Sequence, residues 1–496
     1  MSQQAYLFIA LGIYFAAMIA IGVYAARKTS DHEDYMLGGR NLPPWVAALS
    51  AGASDMSGWL IMGLPGAVYA AGLIEGWIAI GLTIGSYLNW RLVAPRLRAY
   101  TQISNNSITV PSFFENRLRD KTRILRVASS LIILIFFTLY ISSGMVAGGK
   151  FFESAFGSSY LLGMALVTLV TLGYTMFGGF LGASLTDVVQ GLMLVIAVVL
   201  VPVAAVISVG GIGEATAMIS SLRPEHFNLF GGTGVTSVTI LGIASGLAWG
   251  LGYFGQPHII VRFMALRSSA DAAPARRIGI AWQVVSLAGA VFAGLVGVAY
   301  VAKNNINLAD PETVLLMMSQ TLLHPLVAGL VLAAVLAAIM STFSSQLIVC
   351  SSALVEDLYK VVRKTPPSER VLVILGRLCV LGVAVVAAIL ALAPNDTVLG
   401  LVSFAWAGFG AAFGPIVLLS LYWRKLTNWG AFAAMVSGTA TVFIWKALNT
   451  GLYELLPAFV VAVLTAVIVS RATYRHDASI QQEFTDTGTM ITVDRG

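Results

Sequence analysis

The sequence predicts an all-α protein that crosses a lipid bilayer many times. Of its 496 residues, 58% are hydrophobic and 10% are charged, and the mean hydropathy is +0.85. Such a chain is far too apolar for a water-soluble domain. The apolar residues form runs of about 20, the length of a helix that crosses the hydrocarbon core. We therefore predict one transmembrane domain over residues 1–471 and a short polar tail over 472–496.

Thirteen apolar segments are predicted to be transmembrane helices. Their approximate limits are 5–26, 42–72, 73–94, 124–149, 160–178, 187–208, 236–264, 278–302, 314–355, 371–393, 397–423, 428–447 and 453–470. The second and the ninth are longer than one crossing requires, so each is expected to be tilted, bent or continued outside the membrane. The first is long enough to span and has no basic region before it, which argues against a cleavable signal. The tail is expected to be flexible.

Basic residues are distributed unevenly between alternate loops. With thirteen spans and an external amino terminus, all but four of the 29 lysines and arginines lie on the inner side; the exceptions are Lys150, Arg223, Lys303 and Lys446. Inner loops are enriched in these residues. This pattern predicts a plasma-membrane protein with a cytoplasmic carboxyl terminus. The two cysteines indicate neither a disulfide framework nor a metal site.

Glycine, serine and proline interrupt two of the segments. The first interruption is SAGASDMSG at 50–58, and the second is GLAWGLGYFGQP at 246–257. Unwound backbone at membrane depth is tolerated only where it lines a cavity or is buried in protein. The second break also contains GLGYFG, which matches the dinucleotide fingerprint G-x-G-x-x-G. We reject that match because no strand precedes it and no βαβ unit surrounds it.

The two breaks lie five segments apart, which is the pattern of an inverted repeat. Segments 2–6 (residues 42–208) and 7–11 (residues 236–423) would each begin with a broken helix, and a binding site would lie between the halves. The first helix, within residues 1–26, and the last two, within residues 428–470, would be peripheral.

Asp55 is a lone carboxylate inside the first break. Small residues in membrane helices commonly serve close packing. A charge near the bilayer centre costs at least about 2.5 kcal/mol, however, and packing does not account for it. Asp55 therefore favours a functional site at this break.

The ninth segment contributes the hydroxyls of Ser341 and Thr342. Each could simply bond the carbonyl one turn back, as membrane hydroxyls commonly do. Beside a broken helix, hydroxyls and freed carbonyls could instead hold a small monovalent cation, and sodium fits that description. Protonation of Asp55 is the alternative source of coupling.

Five stretches of the chain resemble the sodium:solute symporter family, and the resemblance covers nearly its whole length. They are YMLGGRNLPPWVAALSAGASDMSGWLIMGLPGAVY, YTMFGGFLGASLTDVVQG, SGLAWGLGYFGQPHIIVRFMA, AAIMSTFSSQLIVCSSALVEDLY and YWRKLTNWGAFAAMVSG. Two of these, around both breaks, are similar to the proline-transporting branch. The resemblance implies a leucine-transporter-like fold, alternating access, sodium as coupling ion, no organic cofactor, no enzymatic activity and a bacterial inner membrane.

The resemblance also implies roles for particular residues. For sodium they are Ala53, Asp55, Met56, Asp187, Ala338, Ser341 and Thr342; for proline they are Asp55, Ser57, Gly58, Trp59, Tyr140, Trp249, Tyr253 and Pro257; Arg40 matches a position near the inner mouth. Simpler alternatives remain for some of them. Asp187 could cap the start of a helix, the tryptophans and tyrosines could be interfacial anchors, and Arg40 could be an ordinary inner positive charge.

These features predict a sodium-coupled importer of L-proline. The alternative is a proton-coupled or sodium-coupled carrier of another small amino or imino acid. A channel would need a continuous polar lining, and a receptor would need an output domain; the sequence indicates neither. The expected partners are proline, sodium and membrane lipid, with no nucleic acid and no obligate protein partner.

Overall fold

The computed structural model describes residues 3–28, 36–232, 234–362, 368–394 and 396–494, and the regular elements within these ranges are helices. The α-helices of eight residues or more are numbered here. In chain order they are α1 Gln3–Lys28, α2 Pro44–Asp55, α3 Leu64–Ala71, α4 Gly76–Leu88, α5 Ala94–Ile103, α6 Val110–Arg117, α7 Ile124–Phe156, α8 Tyr160–Val209, α9 Ile212–Leu222, α10 Ser237–Ala248, α11 Pro257–Met264, α12 Ala272–Lys303, α13 Val314–Leu322, α14 Pro325–Ser352, α15 Glu369–Ala391, α16 Val398–Tyr422, α17 Asn428–Leu448, α18 Leu455–Thr473 and α19 Ala478–Asp494.

The described residues contain 10 helices that are long and apolar enough to cross a bilayer. They correspond to the first, fourth and sixth to thirteenth predicted segments. The second, third and fifth segments fold as shorter or interrupted helices, so the count of thirteen spans stays a prediction. The all-helical, multi-pass architecture is confirmed.

Both predicted helix breaks are present. In the first, α2 ends at Asp55, and a π-helical turn, Trp59–Gly63, leads into α3. In the second, α10 passes into a 3₁₀ turn, Trp249–Gly255, and then into α11. The first break explains the unusual length of the second segment. The ninth divides into α13 and α14 at Pro325, whose ring suits the first turn of a helix.

Two central helices organise the bundle. α8, which bends at Gly179, packs against α1, α2, α7, α12 and α14. α14 packs against α7 and α2, and every side chain between Val331 and Ile348 is buried. α17 and α18 form a pair beside α16. The first break and the middle of α14 consequently meet in the interior of the molecule.

The carboxyl-terminal segment is a docked helix, and the expectation of a flexible tail is wrong for Ala478–Asp494. Glu483 forms an ion pair with Arg119 at 2.7 Å, and the Phe484 ring packs edge-on against Tyr100 at 6.3 Å. At its far end, Asp494 accepts a hydrogen bond of 2.7 Å from the Ser269 hydroxyl. An isolated polar helix of this length is marginal in water, so these contacts hold it in place.

Candidate functional site

The first broken helix ends among buried residues, where its last carbonyls lose their helical partners. Met56 leaves the helical region with φ −83° and ψ 84°. The Gly52 carbonyl keeps its helical partner, the Met56 amide, at 3.0 Å, and the freed Asp55 carbonyl accepts from the Ser57 amide at 3.0 Å. The Trp59 indole also donates to the Asp55 carbonyl, at 3.0 Å. The break is therefore an ordered turn.

The hydroxyl predicted on α14 reaches the carbonyl predicted on α2. Ser341 Oγ lies 2.7 Å from the Ala53 carbonyl oxygen and 3.0 Å from that of Ala338. The Thr342 hydroxyl approaches only the Ala338 carbonyl, at 3.5 Å. Thr342 thus makes the ordinary bond one turn back, whereas Ser341 also bridges two helices. Of the seven residues predicted for sodium, these contacts bring together Ala53, Ala338, Ser341 and Thr342, and Met56 lies at the adjoining end of α2.

Asp55 connects the first break to the second. Its side chain is 1% exposed, and its Oδ2 accepts a hydrogen bond from the Tyr253 hydroxyl. That hydroxyl in turn accepts from the Gln283 side-chain amide at 2.9 Å. Asp55 Oδ1 is buried and has no hydrogen-bond partner among the described residues. One carboxylate oxygen therefore joins the two halves, and the other is free to bind a ligand.

The second break is a longer unwound segment. After the 3₁₀ turn, Gln256 is extended with φ −81° and ψ 106°, and Pro257 is the first residue of α11. Proline suits this position because its missing amide would have no helical partner. Gly252 is required by close approach, since a Cβ there would lie 1.9 Å from the Trp406 indole nitrogen.

Side chains that the sequence analysis did not single out hold the second break. The Trp406 indole donates to the Trp249 carbonyl at 2.9 Å, and the Gln256 side-chain amide donates to the Trp406 carbonyl at 3.1 Å. Asn89, the first residue after α4, donates its side-chain amide to the Tyr253 carbonyl at 3.0 Å. Asn89 and Gln256 are uncharged polar residues within apolar segments, and that feature could have revealed them. Trp406 carries no comparable signal.

The predicted aromatic residues surround the two breaks. The Trp59 and Trp249 ring centroids lie 6.1 Å apart, and Tyr253 meets Trp406 edge-on at 5.1 Å. All four predicted tryptophans and tyrosines are at most 5% exposed, which excludes the interfacial-anchor alternative. The buried Tyr140 hydroxyl has no hydrogen-bond partner among the described residues, and its ring meets that of His258 edge-on at 6.1 Å.

A vestibule of about 470 Å³ reaches the second break from one face of the molecule. Its lining includes Trp249 and Tyr453, whose rings stack at a centroid distance of 5.4 Å. Ser57 is buried. Gly58 packs tightly, since a Cβ there would lie 2.8 Å from that of Ala147 on α7. The vestibule lining includes Trp249 but not the buried Asp55.

Asp187 lies in a second polar cluster. Its Oδ2 accepts from the Arg262 guanidinium at 3.1 Å and from the Ser50 hydroxyl at 2.7 Å. Arg262 also donates to Ser345, at 2.6 Å. Ser50 and Ser345 are each about one helical turn from the Ala53–Ser341 contact. Asp187 sits inside the second half of α8, eight residues after its bend, so the helix-cap alternative is wrong.

Arg40 is largely buried and fastens several elements beside this cluster. Its guanidinium donates to the Met264 carbonyl at 2.9 Å and to the Ser107 carbonyl at 2.6 Å. Nearby, the Leu42 amide donates to the Ala265 carbonyl at 3.0 Å. The start of the first broken helix and the end of the second are thus tied together, and Arg40 is more than an ordinary surface charge.

A family model described as the sodium:solute symporter family matches residues 35–438. The chain belongs to this family. It is 53% identical over 471 residues to the osmoregulated proline transporter OpuE of Bacillus subtilis, covering 94% of this chain and 95% of that protein. It is 50% identical over 489 residues to a sodium/proline symporter of Staphylococcus aureus, covering 96% of this chain and 94% of that protein.

A solved symporter has the same fold. The outward-open, substrate-bound structure of a Na⁺-coupled sialic acid symporter matches with a TM-score of 0.79 at 20% identity, covering 94% of this chain and 98% of that one. At that identity the likeness concerns the fold alone. Together with the two broken helices, it establishes the leucine-transporter-like fold for this member of the family.

Proposed function

We propose that this symporter imports L-proline together with sodium by alternating access. The relatives that match nearly the whole chain at about half identity are named as a proline transporter and a sodium/proline symporter. The observation that carries the proposal is the meeting of three groups at the first break. They are the Ala53 carbonyl, the Ser341 hydroxyl and the Asp55 carboxylate, which Tyr253 links to the second break.

Sodium is proposed to bind between α2 and α14. The ligands would be carbonyls of Ala53, Met56 and Ala338 with the hydroxyls of Ser341 and Thr342, and the Asp55 carboxylate would supply the compensating negative charge beside them. A hard cation of this size keeps oxygen ligands at about 2.3–2.6 Å. Ser341 Oγ lies 2.7 Å from the Ala53 oxygen through a hydrogen bond, so its proton must turn away and the oxygens must separate slightly. Sodium binding would thereby reposition the first break against α14.

Proline is proposed to bind beside the same break. The residues are Asp55, Ser57, Gly58, Trp59, Tyr140, Trp249, Tyr253 and Pro257. Asp55 Oδ1 is the anionic acceptor available to the substrate's secondary ammonium. The helix that resumes near Trp59 presents its positive end, which suits a carboxylate. Aromatic walls suit the apolar ring.

Coupling follows because the two proposed sites share the first break. Sodium binding at Ala53 and Ser341 would order the turn that carries Asp55 and Trp59, so proline would bind an arranged pocket. The coupling free energy is reciprocal, and each ligand must raise the affinity of the other by the same factor. Asp187 pairs with Arg262 and accepts a hydrogen bond from Ser50, which lies one helical turn before Ala53. We propose that Asp187 acts when sodium leaves toward the inner face.

The proposed orientation places the amino terminus outside and the carboxyl terminus in the cytoplasm of a bacterial cell. The vestibule near Trp249 would then face outward, and the end that carries Arg40, Arg262 and α19 would face inward. The concentration of basic residues in the predicted inner loops supports this topology.

Uptake into proteoliposomes tests the proposal. The purified full-length protein would be reconstituted and given labelled proline under an inward sodium gradient, or under an inward proton gradient without sodium. We expect saturable uptake driven by sodium alone, with proline preferred over a panel of amino acids. Uptake driven only by the proton gradient would support the proton-coupled alternative, and an unsaturable flux would contradict a carrier.

A further inference from the structure

A cavity of about 590 Å³ lies beside the docked carboxyl-terminal helix, and its lining shares no residue with the proposed transport site. Its walls are the turn after α6, the linker into α17 with the start of that helix, and the end of α18 with its linker and the first turn of α19. The charged and aromatic residues in the lining are Arg119, Arg424, Trp429, Tyr474, Arg475, His476 and Asp477.

The cavity lining carries more positive than negative charge. Arg424 and Arg475 are exposed, and neither has a carboxylate within ion-pair distance in the part of the chain that the structure describes. Arg119 is already paired with Glu483. Two guanidinium groups are therefore available to an anion.

The one carboxylate in the lining is committed elsewhere. Asp477 Oδ1 accepts hydrogen bonds from the Ser479 hydroxyl at 2.6 Å and from the Ser479 and Ile480 amides at 2.9 and 3.2 Å. The Ser479 hydroxyl, followed by these amides, holds the pKa of Asp477 below its usual range. Asp477 caps α19 and remains ionised, but Arg424 and Arg475 outnumber this single carboxylate, so the lining stays net positive.

The mouth of the cavity adjoins the lipid-facing surface. Trp429 lines the cavity and is 45% exposed. Val436 and Phe443 are also exposed and follow at intervals of seven residues, so all three share one face of α17. A tryptophan at the end of such an apolar face is typical of the membrane–water interface. Arginines at that depth meet lipid headgroups.

We propose that this cavity binds the phosphate of an anionic phospholipid headgroup. Arg424 and Arg475 would contact the phosphate, and Trp429 would lie along the adjoining glycerol and acyl region. Basic pockets between membrane helices bind anionic headgroups in this way. Because Ile480 and Gln481 of α19 form part of the wall, the bound lipid also fastens α19 to the transmembrane domain. This site does not depend on the proposed transport function.

Native mass spectrometry of the full-length protein in detergent tests the proposal. Phosphatidylglycerol and phosphatidylcholine would be titrated separately, and hydrogen exchange would be followed across residues 478–494. We expect phosphatidylglycerol to bind more tightly and to slow exchange in α19. Arg475→Gln should weaken phosphatidylglycerol binding about fivefold, as expected for one basic group near a lipid surface.

Two further variants sharpen the test. Arg424→Gln should show a similar loss, but its guanidinium also lies 4.9 Å from the Phe484 ring, so Arg475→Gln is the cleaner probe. Lys425→Gln is the matched control, because it removes the neighbouring positive charge without altering the cavity lining. Equal binding of both lipids, an equal effect of the control, or slowing of α19 exchange by inorganic phosphate alone would overturn the proposal.

Discussion

The two helix breaks share a position in the predicted repeats but differ in chemistry. The first, between α2 and α3, is short and carries Asp55, and its freed carbonyls face a hydroxyl from α14. The second, between α10 and α11, spans the seven residues Trp249–Gly255 and is held by the Trp406 indole and carbonyl. The first break offers oxygen ligands, and the second offers aromatic surface.

We infer a division of labour in which the sodium oxygens lie at the first break and the second break serves only the proposed proline site. Oxygen atoms suit a small hard cation, and aromatic walls suit the apolar part of an organic substrate. The Asp55–Tyr253 hydrogen bond links the two breaks directly through their side chains. If the division is real, substitutions at one break should alter one ligand far more than the other, and Asp55 should alter both.

Replacing the linking carboxylate is expected to have the largest effect. Asp55→Asn retains an acceptor for Tyr253 but removes the charge that both ligands are proposed to use. Loss of a buried, hydrogen-bonded charge partner costs about 2–5 kcal/mol, so sodium-stimulated proline uptake should fall at least roughly 30-fold. The loss of sodium stimulation is measured as proline uptake into proteoliposomes at several sodium concentrations. The control is Glu153→Gln, which removes an exposed carboxylate on α7. Sodium stimulation that is retained in Asp55→Asn would contradict the role assigned to Asp55.

Removing the bridging hydroxyl should affect sodium more than proline. Ser341→Ala deletes an oxygen of the proposed cation site, and hydrogen-bonding groups that face a charge contribute about 1.5–3 kcal/mol. We expect apparent sodium affinity to fall about tenfold or more, with proline affinity nearly unchanged at saturating sodium.

Ser344→Ala is the matched control for that experiment. Ser344 is a buried hydroxyl on the same helix, and it donates to the Ser341 carbonyl one turn back, at 3.0 Å, without reaching α2 in the described contacts. Equal losses of sodium affinity in both variants would mean that packing of α14, rather than ligation, explains the effect.

The smallest expected effect is on the aromatic break. Trp406→Phe keeps an aromatic ring at this position but removes the N–H that donates to the Trp249 carbonyl. A buried acceptor left unpaired costs about 1–3 kcal/mol. Proline affinity should fall roughly fivefold, while sodium binding without proline stays unchanged. Calorimetric titration separates the two affinities.

Trp282→Phe controls for loss of an indole donor elsewhere. Trp282 donates to the Gly191 carbonyl at 2.9 Å between α12 and α8. An equal loss of proline affinity in this variant would argue against a specific role for Trp406 at the second break.

Much of the architecture could be predicted because it depends on local composition. Apolar runs of about 20 residues define helices in lipid, and the glycine, serine and proline residues around Asp55 and Pro257 define where helices break. The residues proposed for sodium and proline came from resemblance to a family, and the structure brings Ala53 and Ser341 into contact. Their functional roles stay predictions.

Other features depended on contacts between distant parts of the chain. The docking of α19 could not be predicted because a short polar helix gains its stability from partners such as Arg119 and Tyr100, which lie more than 350 residues away in sequence. The pairing of Asp187 with Arg262 was missed for the same reason. Neither residue's neighbours in sequence indicate its partner.

The sequence by itself determined that this protein is a helical bundle in a membrane, and it located both interruptions. Hydrophobicity, helix-breaking residues and the cost of a buried charge act locally and can be evaluated residue by residue. Only the tertiary structure decided which groups meet across those interruptions. The packing of whole helices decides the distance between Ser341 and Ala53 and the donor that reaches Asp55. It also decides which tryptophan holds the second break.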